Sequence, residues 1–391
     1  MIVYWFRNNL RIEDNPSLNA AVQLAQEQGK RLVLFFSSHL PFKSAGPFRR
    51  DFIDKALKEL SVELSAVGLD LILTPDPPDL WIKTHAKGAS IYTESLPGPW
   101  ESEELQSVIE VVGNDRVHFM WNRTLYPIEL IPGGVRELPT VFSHFYRGVV
   151  LKSKWPIPPP VDAPWRIDQG GLGQDRLKKY LWGTQAISSY KETRNGLLND
   201  LDSSRLSPFL SVGRLSARQV YSEVKKFESL HGANPSTEAF IYELIWRDYF
   251  QFYLLKYGSK VFGMDGILET PKPDHRTSLE GQSDAFLKWT EGKTAHRFIN
   301  AHMNELRKTG WMSNRGRQVV ASYLVNDLQL DWRLGANYFE EKLIDYDVAS
   351  NWGNWNYIAG VGADPRKNRY FDPNFQASRY DPDGRYQDRW A

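Results

Sequence analysis

Five short apolar runs, each followed by a stretch patterned as a helix, constrain the first third of this chain more tightly than any other feature. The runs are Ile2–Phe6, Leu32–Phe36, Leu69–Leu73, Ile91-Tyr92 and Val117–Met120. Between them the pattern predicts a helix capped at Asn15-Pro16, running to Gln28 and stopped by Gly29. A second helix runs from Phe48 to Val67, with Phe52, Leu57, Leu60 and Leu64 on or near one face and Gly68 as its stop. Shorter helices are predicted at Asp79–Lys87 and Glu101–Val112. Strands alternating with helices imply a doubly wound, Rossmann-like parallel sheet covered on both faces. Such sheets bind ligands at the C-terminal ends of their strands. No glycine-rich dinucleotide fingerprint follows any of these runs, so no dinucleotide is placed in this domain.

The remaining length requires a second unit, and 391 residues suit two domains. The division reads as 1–126 for the α/β domain, 127–174 for a proline-rich connector and 175–391 for an all-helical domain. Pro127, Pro132-Gly133-Gly134 and the run from Trp155 to Pro160 stiffen the connector around a short helix at Val141–Val150. Its reading is a wrapped linker without chemistry. Beyond it, Gln174–Ile187, Ala217–Leu230, Thr237–Tyr257, Ser283–Thr290, Ala295–Lys308 and Arg315–Asn326 all fit helices, and no alternating run occurs.

Several chemistries are excluded. The chain has no Cys, so disulfides, thiolate metal sites and cysteine nucleophiles are absent. The eight His show no zinc-type spacing, and neither a phosphate-binding P-loop nor a G-x-S-x-G elbow is present. No metal is expected. The start MIVYWFRNNL has no signal-peptide pattern, and no apolar run reaches membrane-spanning length, so a cytoplasmic monomer is expected. With a net charge of +1, any nucleic-acid binding must come from a local basic patch.

The densest polar and aromatic constellation runs from Thr309 to Gly362. Asn314 and Arg317 are three apart and can address one partner. Asp345 and Asp347 would diverge on a helix, so a turn is predicted, where both carboxylates can reach one polar ligand. Asn351 and Trp355 can share a helical face. Either an Arg–Asp network pins helices here, or a multi-ring cofactor with a polar edge is held; the density of groups favours the cofactor. On the helix around EAFIYELIWRDYF, Glu243, Trp246, Arg247 and Phe250 share one face. They form either a Glu–Arg pair beside core aromatics or a pocket wall, with Trp246 as stacking platform and Glu243 as hydrogen-bond or proton partner. Ser203, Ser204 and Ser207 form either a plain helix cap or a diphosphate cradle.

The tracts TGWMSNRGRQ, LDWRLGANYFE, DYDVASNWGNW and YDPDGRYQDRW resemble the photolyase/cryptochrome family, and most of all its DASH cryptochromes. WFRNNLRIEDNPSL extends the resemblance in weaker form to the N-terminus, so it covers nearly the whole chain. The chain is short for that family, with the compaction before Leu181.

The resemblance implies FAD in the helical domain, against Tyr190, Ser203, Ser204, Arg205, Leu206, Ser207, Arg247, Asn314, Arg317, Asp345, Asp347 and Asn351. In it the first Asp pairs the Arg, and Asn351 faces the reactive ring nitrogen. It puts Glu243, Trp246, Met312 and Asn314 around a damaged base, with Tyr357 where double-strand photolyases carry a second Trp. It makes Trp355, Trp332 and Trp289 an electron relay between the flavin and the surface. It departs from the family at Asn300, where an Asp is usual.

The implied function is blue/UV-A-light-driven repair of cyclobutane pyrimidine dimers, preferring single-stranded or locally unpaired DNA, with Arg366, Lys367 and Arg369 as a basic rim. The alternative is a light-signalling cryptochrome without repair, which the ending of the chain at the family's closing segment disfavours. Repair of (6-4) photoproducts needs a histidine acid where Ser313 stands. A folate antenna, methenyltetrahydrofolate, would sit between the domains near Glu101, in the region that the compaction affects.

Overall fold

The five apolar runs form one parallel sheet in the order β3-β2-β1-β4-β5, with β1 Ile2–Phe6, β2 Leu32–Ser37, β3 Leu71–Thr74, β4 Ser90–Glu94 and β5 Val117–Met120. This computed structural model describes residues 1–153, 157–165, 171–269, 283–363 and 369–391. Alternation along β1 sorts its side chains onto two cores. Ile2, Tyr4 and Phe6 pack with α1 (Pro16–Glu27) and α3 (Pro47–Ser65), which follows the short α2 (His39–Lys43). Val3 and Trp5 pack with α4 (Pro78–His85) and α5 (Pro99–Val112). Asn15 caps α1 as expected, accepting from the Leu18 amide at 3.2 Å. β3 begins later than the apolar run, because the Leu69 amide bonds the Leu64 carbonyl at 3.0 Å and closes α3 instead of joining the ladder.

The helical half comprises α7 (Leu172–Lys178), α8 (Tyr190–Thr193), α9 (Ser207–Val212), α10 (Ala217–His231), α11 (Pro235–Tyr257), α12 (Ser283–Thr290), α13 (Arg297–Thr309), α14 (Asn314–Ser322), α15 (Trp332–Lys342), α16 (Val348–Ala359), α17 (Pro373–Tyr380) and α18 (Arg385–Trp390). The fold is therefore α/β followed by all-α. Two segments expected as single helices are broken. A wide turn over Lys179–Gly183 interrupts the first, and another at Tyr323–Asp327 ends the helix begun at Asn314.

The connector contributes α6 (Phe142–Phe145), and it is not a bare linker. Leu138, Phe142 and Phe145 are buried in the core of the helical half, where apolar area removed from water outweighs the cost of ordering the chain. Its Trp155-Pro156 stretch lies outside the described residues.

The helical half packs across the crevice between the ends of β1 and β4, where such a sheet takes its ligand. The Leu10 amide bonds the Val212 carbonyl at 3.1 Å. Gly213, at φ +77, lies so close to the backbone of Asn8 and Asn9 that a Cβ there would collide with it. Charged groups stitch the same junction. Arg218 pairs with fully buried Asp14 at 2.7 Å, and Arg123 pairs with Asp347 at 2.7 Å.

Candidate functional site

The helical half holds three cavities that share walls, and α14 stands where they meet. Ser313 caps α14 by accepting from the Gly316 amide at 3.0 Å, which brings Asn314 and Arg317 onto its first turn. Arg317 Nη2 donates to both carboxylate oxygens of Asp345, at 2.9 and 2.8 Å, and its Nε donates to the Met312 carbonyl at 3.0 Å. The Ser207 hydroxyl donates to the same carboxylate at 2.6 Å. Asp345 thus joins α14, α9 and the turn before α16.

Asp347 lines the same cavity, but its carboxylate is already satisfied. It caps α16 through the Ser350 amide at 2.8 Å and accepts from Arg123 at 2.7 Å and Gln251 at 2.8 Å. Burial alone would raise its pKa; Arg123 and Arg247 outweigh burial and hold it below the usual range. The two acids do sit in a turn, yet their carboxylates address different arginines.

The first cavity, about 90 Å³, is lined by Asn314, Arg317, Gln318, Asp345, Asn351 and Trp355 among others. Asn351 donates to the Ala336 carbonyl at 3.1 Å, which leaves its side-chain carbonyl available. Gln318 Oε1 is buried with no hydrogen-bond partner. The second cavity, about 250 Å³, shares Asn314, Arg317 and Asp345 with the first. It adds Tyr190, Ser203, Ser204, Arg205, Leu206 and Ser207, so the serine tract does flank the same hollow. Arg176 fixes that tract, donating to the Ser204 carbonyl at 2.7 Å. Met312 is a correction. It is fully buried and borders this second cavity, because the turn before α14 directs it inward.

The third cavity, about 330 Å³, is lined by Glu243, Trp246, Arg247, Phe250, Asn314, Gln318 and Tyr357 among others, so the face read on α11 is a pocket wall. Glu243 forms a short ion pair with Arg194, and both groups also border the second cavity. Burial raises the Glu243 pKa, and Arg194 opposes it. Trp246 lies edge-on to Tyr357, with centroids 6.2 Å apart. Arg247 donates to the Arg123 carbonyl at 2.6 Å and borders this third cavity, not the two that hold the serine tract and Asp345.

Arg194, Arg247 and Arg315 line this cavity, and further arginines stack on rings near it. Arg315 lies over Phe371 and Tyr380, at 5.5 and 5.2 Å, and Arg379 lies over Tyr380 at 5.6 Å. Arg369 lies over Tyr357 at 4.2 Å. Arg366 and Lys367 fall outside the described residues. Arg194, Arg315 and Arg379 were not singled out in the sequence. For Arg194 a usable signal existed: it stands four residues after Tyr190. Among the described residues no histidine lines these cavities, and Ser313 serves as a cap.

The tryptophan series differs from expectation. The Trp355 ring meets Trp289 at 6.5 Å, whereas Trp332 packs on Trp352 at 5.7 Å and donates to the Met264 carbonyl. Trp289 and Trp332 are both 0% exposed, so neither ends a relay at the surface. Two partly exposed rings adjoin Trp289: Tyr338 at 5.7 Å and Phe286 at 5.9 Å. Asn300 has a local duty. Its carbonyl accepts from the Thr294 amide at 2.8 Å and shapes the turn before α13.

A fourth cavity, about 300 Å³, lies between the two halves and is lined by Asn8, Arg49, Trp100, Glu101, Glu340, Tyr346 and Asp347 among others. The Glu101 carboxylate accepts from the Gly98 amide at 2.8 Å and from Asn8 at 3.3 Å, and burial raises its pKa. Among the described residues no cluster suits a metal ion, and no helix is long and apolar enough to cross a membrane.

Comparison with known proteins agrees with this geometry. Residues 2–164 match the DNA photolyase family, and residues 240–391 match the FAD binding domain of DNA photolyase. Cryptochrome DASH of Idiomarina loihiensis is 36% identical over 424 residues, covering 100% of this chain and 92% of that protein. The crystal structure of a Synechocystis cryptochrome superposes with a TM-score of 0.90 at 35% identity, covering 100% of this chain and 88% of that one. A bacterial class III photolyase from Agrobacterium tumefaciens superposes with a TM-score of 0.83 at 25% identity, covering 100% and 86%. With its full length matched in this way, the chain belongs to the photolyase/cryptochrome family and carries that family's FAD-binding domain in its helical half.

Proposed function

We propose that this protein repairs cyclobutane pyrimidine dimers in DNA under blue or UV-A light, and that it prefers single-stranded or locally unpaired substrate. The observation that carries the reading is the shared wall. Asn314 and Gln318 line both the first cavity and the one formed by Glu243, Trp246 and Tyr357, so a lesion in one lies beside a ring in the other.

The residues present fit FAD. Buried Gln318 Oε1 lacks a donor, Asn351 keeps a carbonyl, and the Arg317–Asp345 pair offers a polar edge. Ser203, Ser204, Ser207, Tyr190, Arg205 and Leu206 would hold the diphosphate side. Bound there and fully reduced, FAD would supply light-driven one-electron chemistry for dimer splitting, with the electron returned at the end.

The chain's own side chains bind and orient the lesion. Trp246 offers a stacking surface, and such stacking contributes about 1–3 kcal/mol per base. Glu243, poised between burial and Arg194, accepts or shares a proton at a base edge. Arg194, Arg315, Arg369 and Arg379 meet backbone phosphates. One chain carries this whole set, which supports action as a monomer. Tyr357 supports the strand preference, since its ring is smaller than the second Trp of double-strand photolyases.

The test is to illuminate the reduced, FAD-loaded protein with dimer-containing oligonucleotide, single- and double-stranded, and to count repaired dimers. Repair of the single strand above duplex is expected. No repair of either, with flavin bound and reduced, overturns the reading in favour of a light-signalling cryptochrome. The interdomain cavity suits a folate antenna near Glu101; an absorbance band of bound methenyltetrahydrofolate after reconstitution tests it, and a protein that takes up none rejects it.

A further inference from the structure

The connector reaches the lesion cavity from behind. Phe142, on the four-residue α6, stacks on Trp246 with ring centroids 3.6 Å apart and planes 18° apart. Phe142 is 1% exposed, and Tyr146, Tyr242 and Tyr249 close around it, at 6.0, 5.1 and 5.4 Å. The Tyr146 ring is also near-parallel to Phe142, with planes 24° apart. Neighbouring backbone anchors this wall to α11. Lys256 donates to the Leu138 carbonyl at 2.7 Å, and the Tyr249 hydroxyl donates to the Pro139 carbonyl at 3.2 Å. Trp246 is half-buried and borders the cavity; Phe142 is the ring at stacking distance, while Phe250 lies tilted by 30° and farther off, at 5.5 Å.

An indole on a helix can rotate about its χ2 bond unless something flat restrains it; aromatic χ2 wells are broad. A covering ring at stacking distance removes that freedom. We infer that Phe142 is a positioning residue, which fixes the plane of Trp246 so that a pyrimidine dimer stacks on one defined face. This rests on the repair reading above and adds to it a part played by the connector. Phe142 touches neither substrate nor cofactor, so its effect falls on dimer binding and not on the light-driven step.

The test uses the full-length, FAD-loaded protein and a single-stranded oligothymidylate carrying one cyclobutane dimer. Its dissociation constant is measured in the dark and its repair kinetics under light. Phe142→Leu is expected to weaken dark binding and raise KM by about three- to tenfold, as loss of one aromatic pair implies, with kcat unchanged. Phe142→Tyr restores the flat ring and should restore affinity. In a Trp246→Phe background, Phe142→Leu should cost much less than in the wild type, since its effect passes through the indole. Phe142→Met keeps the volume without the plane and replaces Phe142→Leu if that variant fails to fold.

Unchanged affinity in a folded Phe142→Leu or Phe142→Met protein overturns the inference, as does an equal loss in the Trp246→Phe background. If wild type binds the dimer no better than undamaged oligothymidylate, the repair reading itself fails, and that outcome is read before any variant is made.

Discussion

Glu243 is a carboxylic acid placed where it is hard to keep ionised, with one arginine to help it. Its side chain is 33% exposed and paired with Arg194, at 36%. Hydrogen bonds to a charged group contribute about 1.5–3 kcal/mol. Glu243→Gln keeps the shape and one acceptor but loses the charge, so dimer repair is expected to fall by about ten- to a hundredfold. Flavin content should hold, because the carboxylate has no bond to Arg317 or Asp345. Repair counted per bound flavin checks both halves of that statement. The converse variant is Asp345→Asn, which weakens a bidentate pair on a carboxylate only 2% exposed. Arg317 is then left without its full counter-charge, and FAD is expected to leave the protein on gel filtration. A folded Asp345→Asn protein that keeps full flavin absorbance would show that the pair pins helices and nothing more.

At the scale of elements, α15 and α16 pack closely around one glycine. Gly335 lies under the Trp355 ring, and a Cβ there would strike the indole. Trp355 in turn meets Phe339 at 5.2 Å and Trp289 at 6.5 Å. Light-driven flavin reduction is therefore expected to slow most in Trp355→Phe, and more in Trp289→Phe than a simple core role predicts. Trp332→Phe should slow it with FAD retained. Initial rates of flavin bleaching with a thiol donor rank the three, and equal rates in all of them would remove the relay.

What was legible follows from range. Asn314 with Arg317, Asn351 with Trp355, and Glu243 with Trp246 are each neighbours on one helix, so spacing alone brought them together. Arg123 reaches Asp347 across 224 positions and Gln251 across 128, and no local pattern signals such a pair. Phe142 was hidden for another reason: proline density marks a stiff path, not what lies along it. The full burial of Trp289 and Trp332 was not legible, because residue type and spacing say nothing of exposure. The α/β sheet was legible to within a residue or two, since each buried parallel strand must be apolar on both faces.

For the whole molecule, the joint between halves bears on stability. Asp248 is 0% exposed on α11 and accepts from the Tyr126 amide at 2.7 Å, just where the α/β domain ends. Burial, only partly opposed by Arg247, raises its pKa to about 7. The folded state therefore binds more protons than the unfolded one between about pH 4 and 7, where a free Asp is ionised. The stability that this group contributes is full below about pH 4 and is lost as pH rises towards 7. Asp248→Asn keeps an acceptor for Tyr126 and removes the titration. Denaturant midpoints at pH 5 and 7.5 should differ less in Asp248→Asn than in wild type, and an equal difference would refute the assignment.

On the proposed reading, substrate choice belongs to the outer cavity of the helical half. Flipping a dimer out of duplex costs a few kcal/mol, and out of a single strand much less. Tyr357 meets Trp246 edge-on and lies under Arg369, so the cavity has one large platform and one smaller ring. Stacking of about 1–3 kcal/mol per base is then of the same size as the cost it must offset. Tyr357→Trp enlarges the second ring and is expected to raise duplex repair several-fold while changing single-strand repair little. Four arginines at the mouth predict that affinity for single strands falls with salt at a log–log slope of about −3 if all four meet phosphates. A salt titration of dark binding, run with both proteins on both substrates, separates the two contributions. Tyr357→Trp should move duplex affinity at every salt concentration without changing the slope. A changed slope with unchanged duplex repair would place the strand preference in the arginine rim and not in the ring.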